Sequence, residues 1–212
     1  MSIQDFRWED LDLTPEGIGV YAWYLDPILR PADLADPQST RENLSRLAEQ
    51  LKLPRFDVKA RGHLSLILEG NLEHAHLASE SSGEFSQLVE SVLQNQTKRE
   101  VFAKILGGAV PHLMAPLYIG VATNVRERLR QHRQEIDHFR KLLRSGPKEV
   151  VFEDAKQRFA LEVVRRGIPS RRLRVFVSTI FQEQNSSEEN RKIAEAVETI
   201  LNRLFYPIMG RR

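Results

Sequence analysis

Apolar positions alternate at three places along this chain and recur at helical spacing through most of the remainder. Gly19-Val20-Tyr21-Ala22-Trp23-Tyr24-Leu25 is β-branched and aromatic, enters from a Pro15–Gly17 turn and closes at Asp26-Pro27, which predicts a strand. Leu117 to Ala122, following Pro116, predicts a second. Arg174 to Phe181 predicts a third, with Val175, Val177 and Thr179 on one face and Phe176, Ser178 and Ile180 on the other. His63 to Leu68 is a candidate extra strand.

Between them the period changes to that of a helix. Leu44, Leu47, Ala48 and Leu51 make a stripe over Arg41–Leu51, and Phe85–Leu93 and Lys98–Leu106 are spaced in the same way. Asn124 is placed to cap a long basic helix carrying Val125, Leu129, Ile136, Phe139 and Leu143, which Ser145-Gly146-Pro147 stops. Phe152–Arg166 predicts another helix. The last begins at Ser186-Ser187-Glu188-Glu189, a capping-box spacing, and breaks at Pro207. Its apolar stripe is Ile193, Val197, Ile200, Leu201 and Leu204. The order predicts an α+β fold, a small sheet with helices around it, and marks residues 26–115 as a mostly helical insertion between the first two strands, with Ser79–Gly83 as a loop inside it.

Composition excludes more than it selects. The 212 residues are 41% hydrophobic and 28% charged, the balance of an ordinary globular chain, and no apolar run reaches the roughly 18 residues that span a bilayer. The N-terminus has no signal-peptide pattern, so a cytoplasmic location with no membrane partner is expected. With no cysteine there is no disulfide, thiolate zinc site or catalytic thiol. His74-Ala75-His76 lacks a third ligand nearby, Gly107-Gly108 is not followed by the Lys-Ser/Thr of a phosphate loop, and Ser79–Ser82 has no nucleophile-elbow pattern.

Charge becomes informative once it is divided along the chain. Residues 121–175 hold 15 Lys and Arg against 7 Asp and Glu, while the rest hold 16 against 22. A positive block in an otherwise acidic chain is the footprint of phosphate-backbone binding, or else a solvated helix face. Arg126, Arg130, Arg133, Arg140 and Lys141 on the basic helix, with Arg171 and Arg172 before the third strand, are the candidate contacts to nucleic acid.

Within this block stands Tyr118-Ile119-Gly120, with Ala122, Asn124 and Arg128 at fixed offsets and His132 four residues further on. Gly19-Val20-Tyr21 stands upstream, and Glu198 precedes Pro207 by nine residues. Together these resemble the signature of the GIY-YIG nuclease superfamily, over about residues 17–25 and 116–210. In that family an Asn opens a helix after the second tyrosine, an arginine lies ten positions after that tyrosine, and a glutamate on a later helix binds metal.

The resemblance implies a three-stranded antiparallel sheet surrounded by helices and a DNA endonuclease, RNA not excluded, acting with one Mg²⁺ or Mn²⁺ per site. A monomer or a homodimer is compatible with it. Its implied site is Tyr21, Tyr118, Arg128, His132 and Glu198. Glu198 would hold the ion. Arg128 would offer a permanently charged fork to the phosphate oxygens. Tyr21 would take a proton from the attacking water, and Tyr118 would orient water or phosphate. His132 would shuttle a proton or touch the phosphate.

Each residue also has a plain reading: strand aromatics for the tyrosines, basic-helix charges for Arg128 and His132, and a surface carboxylate for Glu198, with Glu195 its rival as ligand. Three departures from the family pattern stand out. Tyr21 and Tyr118 are 97 positions apart, Val121 stands where many members carry lysine, and Gly210 stands where an Asn is usual. A catalytically weakened nucleic-acid-binding or regulatory module is therefore the alternative function, and an interaction domain built on the insertion is a third.

Overall fold

The structure is a computed structural model, and it describes residues 3–27, 29–51, 56–61, 67–72, 89–145, 157–180 and 186–209. The chain divides into two compact units, one of residues 1–28 with 107–212 and one of residues 29–106.

The first unit holds a four-stranded antiparallel sheet. Its strands are β1 (Gln4–Arg7), β2 (Gly19–Leu25), β5 (Tyr118–Ala122) and β6 (Leu173–Thr179), in the order β1-β6-β2-β5. The sequence reading expects three strands, and β1 is the correction. Gln4-Asp5-Phe6-Arg7 carries no apolar alternation because it is an outer strand, paired only to β6 and largely exposed. Its backbone pairing needs no buried face, and an Asp5–Arg174 ion pair ties it to its neighbour.

Period-two alternation sends successive side chains of the sheet to opposite faces. Tyr21, Trp23 and Leu25 of β2, with Leu173, Val175 and Val177 of β6, are buried. Tyr21 and Trp23 meet α3 (Val125–Arg144) and α4 (Arg158–Arg165), through His132 and Phe159 respectively. Val20 and Ile119 point the other way and pack on Ala194 of α5 (Ser187–Phe205), with Ala22, Val121 and Leu201 around them.

The helix ends follow the local chemistry. The Asn124 side chain accepts the Glu127 N–H at 3.1 Å, and Ser186 and Glu189 form the reciprocal capping box. At the far end of α5, Tyr206 adopts a left-handed conformation before Pro207. The chain then turns so that the Ile208 and Met209 amides donate to the Pro116 and Leu117 carbonyls at 3.1 and 2.7 Å. The glutamate-to-proline interval is thus the length of helix that ends beside the start of β5. The expected stop at Gly146-Pro147 and the residues 152–156 lie outside the described residues, as does Gly210.

In the second unit, β3 (Phe56–Arg61) and β4 (Ile67–Leu72) form an antiparallel pair alongside the helices expected there. Of the candidate strand His63–Leu68, Ile67 and Leu68 open β4, and residues 62–66 lie outside the described residues. So do Ser79–Gly83, His74 and His76, and the first residues of the Phe85–Leu93 helix. Helix α1 (Pro37–Leu51) is flanked by Arg99, whose buried guanidinium donates to the Leu93, Leu34 and Ala35 carbonyls at 2.6, 3.1 and 3.3 Å. Arg99 belongs to α2 (Gln96–Leu113), which runs past the division between the units. Among the described residues, no helix is long and apolar enough to cross a membrane.

Candidate active site

β5 has a neighbour on one side only, and its free edge is where α3 and α5 approach from opposite faces of the sheet. A cleft of about 290 Å³ opens there, lined by Tyr21, Tyr118, Ile119, Val121, Arg128, Gln131, Glu198 and Asn202. Four of the five expected site residues line it, and they come from four separate elements. The fifth, His132, lies beneath.

Tyr21 and Gly120 are direct partners across the β2–β5 pair. A Cβ at Gly120 would stand 2.7 Å from both Tyr118 Cε1 and Tyr21 Oη, so the missing side chain is what lets the two phenols converge. Their rings lie 6.1 Å apart. The Tyr21 hydroxyl meets His132 Nε2 at 3.0 Å. His132 is fully buried, with the rings of Tyr21, Trp23, Tyr118 and Phe159 all between 5.0 and 6.3 Å from its own. A direct contact with phosphate, one of the two roles expected for it, is ruled out by that burial. Its partnership is with Tyr21.

Arg128 and His132 lie one turn apart on α3, and Glu135 completes the face at seven residues from Arg128 and three from His132. Glu135 Oε1 is 3.4 Å from an Arg128 terminal nitrogen, and Oε2 is 3.4 Å from His132 Nδ1. Arg128 also donates to Gln131 Oε1 at 3.0 Å.

Burial pushes the Tyr21 phenol well above its ordinary range, and the neighbouring Tyr118 pushes the same way. Arg128, through its charge and a hydrogen bond, opposes them without prevailing. Burial likewise lowers His132, the Arg128 charge adds to the effect, and Glu135 counters it only in part. At neutral pH the pair is therefore a neutral phenol against a neutral imidazole.

Glu198 reaches the cleft from α5. Its rival Glu195 lines an adjoining pocket with Asn124, Arg128 and Arg191, and is already paired with Arg191 at 2.8 Å. One turn beyond Glu198, Asn202 also lines the cleft, and its Oδ1 is buried without a hydrogen-bond partner. Among the described residues, no group of three or more His, Asp or Glu gathers into a cage for a metal ion.

Most of the basic residues expected to meet nucleic acid are engaged within the fold. Arg126 holds Glu16 and the Thr14 carbonyl, both at 2.6 Å. Arg130 and Arg133 hold the two oxygens of Asp12 at 2.7 and 2.9 Å. Arg140 donates to the Ile168 carbonyl at 2.8 Å and to Ser170, and Arg172 is buried. Lys141 and Arg171 are exposed. Three cations of the positive block, Arg126, Arg130 and Arg133, thus clamp α3 to the segment before β2.

Sequence reasoning missed Glu135 and Gln131 and passed over Asn202. A signal existed for two of them: Glu135 shares the helix face of Arg128 and His132, and Asn202 lies four residues after Glu198. Comparisons of the chain with protein-family models, with curated proteins and with solved structures give no match.

Proposed function

We propose that this chain is a metal-dependent endonuclease of GIY-YIG type that hydrolyses phosphodiester bonds in DNA. One observation carries the reading. Tyr21, Tyr118, Arg128 and Glu198, far apart in the chain, line a single cleft at the free edge of β5.

The donor set suits Mg²⁺ or Mn²⁺. Such ions take oxygen ligands, keep several waters and bind through one or two protein groups together with substrate phosphate. Glu198 supplies a carboxylate, and the partnerless Asn202 Oδ1 is a second oxygen donor on the same side. In this reading Asn202 would stand in for the Asn that the family pattern puts at Gly210, although it lies on the helix itself. When bound, the ion supplies Lewis-acid charge to the phosphate and to the water around it.

The chain's own groups do the rest. Arg128 sits where its fork can hold nonbridging oxygens as charge builds. Tyr118 orients the phosphate or the attacking water through its hydroxyl. Because Tyr21 is raised rather than lowered, a standing phenolate is not the base. Tyr21 instead passes its proton to His132 Nε2 as it takes one from the water, so no charge accumulates on the buried phenol. The proton ends on the imidazole.

The experiment is incubation of the purified chain with labelled single- and double-stranded DNA and Mg²⁺ or Mn²⁺. Cleavage is expected, and Glu198→Ala should abolish it. Cleavage that survives that change unaltered refutes the role of Glu198. The raised phenol and the lack of a lysine at Val121 favour, as second reading, a nucleic-acid-binding module with weakened catalysis. Salt-sensitive binding without cleavage under any divalent ion selects it.

A further inference from the structure

We infer that Glu135 is a positioning residue that holds the proton of neutral His132 on Nδ1, and so sets the direction of the hydrogen bond between His132 and Tyr21. The inference deepens the nuclease reading and rests on it for its catalytic consequence, but not for its structural one.

His132 Nδ1 and Glu135 Oε2 are both buried, and neither has a well-formed hydrogen bond to any group. They face each other at 3.4 Å. The rings of Tyr21, Trp23, Tyr118 and Phe159 pack around the imidazole, and among the described residues Glu135 is the acceptor that faces Nδ1. A carboxylate accepts and cannot donate, so Nδ1 must carry the proton to satisfy both atoms. Nε2 is then a bare lone pair, and Tyr21 donates to it across 3.0 Å.

Arg128 favours the same polarity, since a guanidinium only donates and its charge lies close enough to Tyr21 to oppose the effects that raise the phenol. With its proton committed to His132, Tyr21 presents its oxygen to the cleft as an acceptor, where it can take a hydrogen bond from water. In the opposite tautomer, Nε2–H would donate to Tyr21, and the phenol would turn its own proton toward the cleft.

The proton balance follows from that polarity. The water oxygen bonds to phosphorus as its proton goes to the Tyr21 oxygen. The phenolic proton goes to Nε2, and the imidazolium is held by Glu135 through Nδ1. The bond from phosphorus to the leaving oxygen breaks with its electron pair on that oxygen, which takes a proton from solvent.

The test is long-range proton–nitrogen correlation NMR on the metal-free, DNA-free protein, with the His132 signals identified by their loss in His132→Gln. Expected is an Nδ1–H tautomer in the native chain and in Glu135→Gln, whose amide oxygen can still accept. Glu135→Met, which fills the space without an acceptor, should lose that tautomer, and kcat for DNA cleavage should fall about 10- to 100-fold with KM unchanged. An Nε2–H tautomer in the native chain overturns the inference without any variant having to fold. An unchanged tautomer in Glu135→Met overturns it as well. Because the tautomer is read without substrate, absence of cleavage would sink the nuclease reading while the spectrum still decides the role of Glu135.

Discussion

Helix α3 buries Val125, Leu129, His132, Ile136 and Phe139 and clamps its cations to Asp12 and Glu16. Helix α5, on the opposite face of the sheet, buries only Asn190 and Ala194 and leaves Ile193, Val197, Ile200, Leu204 and Phe205 exposed. Both helices supply the cleft, but they hold their residues differently. His132 is fixed by close aromatic packing and its contact with Tyr21, and Arg128 by Gln131 and Glu135. Glu198 and Asn202 ride on a helix secured chiefly by Ala194, Leu201 and the backbone pairing of Ile208 and Met209. The α3 half of the site is preorganised for chemistry, where misplacement by an ångström is costly. The α5 half can adjust to the ion it is proposed to hold.

The largest effect should come from the rigid half. Arg128→Ala is expected to lower kcat for DNA cleavage about 10³-fold at saturating metal, as removal of a preorganised charge does. Arg128→Lys should recover little, because an ammonium lacks the planar fork. Single-turnover cleavage assays measure both. A loss below tenfold for the alanine variant would place the phosphate elsewhere and erase the contrast between the two halves.

A second test probes how tightly α3 is packed, through its buried histidine. Burial lowers the folded-state pKa of His132 below its unfolded value of about 6.5. Below that value the unfolded chain binds a proton that the folded chain resists, so stability is full above about pH 6.5 and declines as the pH falls through it. The contribution of one such group cannot be steeper than about 1.4 kcal/mol per pH unit. Urea unfolding followed from pH 7.5 to 5.5 should show the decline, and His132→Gln should flatten it. Equal slopes in the two proteins would mean that water reaches His132 and that the aromatic box is open.

These differences between the helices explain what could be read from the chain. The Asn124 cap, the Ser186 capping box and the strand at Gly19–Leu25 were legible because each is a local pattern whose partners lie within a few residues. β1 was not, since an outer strand is specified by the backbone edge of β6, which no local pattern encodes. The convergence of Tyr21 and Tyr118 was legible only as a resemblance. The register that sets Tyr21 opposite Gly120 belongs to the sheet, not to either segment. The internal partners of the basic block were hidden for a related reason. Composition records Arg130 and Arg133 as surplus charge, and only the fold brings Asp12 against them. Glu135 stayed hidden because its role needs both His132 and the burial of that ring.

The smallest effect should lie on the exposed stripe of α5. Ile200 and Leu204 are 57% and 67% exposed, so replacing either with serine removes little buried apolar surface and leaves no cavity. Each change should alter unfolding free energy by no more than about 0.5 kcal/mol, the usual range at surface positions. Chemical unfolding at two protein concentrations tests this, because a stripe left to solvent gives the same small change at both. A loss above about 1 kcal/mol that grows with concentration is what burial against a second copy would produce. In that case α5 would be as firmly held as α3, and the flexibility assigned to the α5 half of the cleft would disappear.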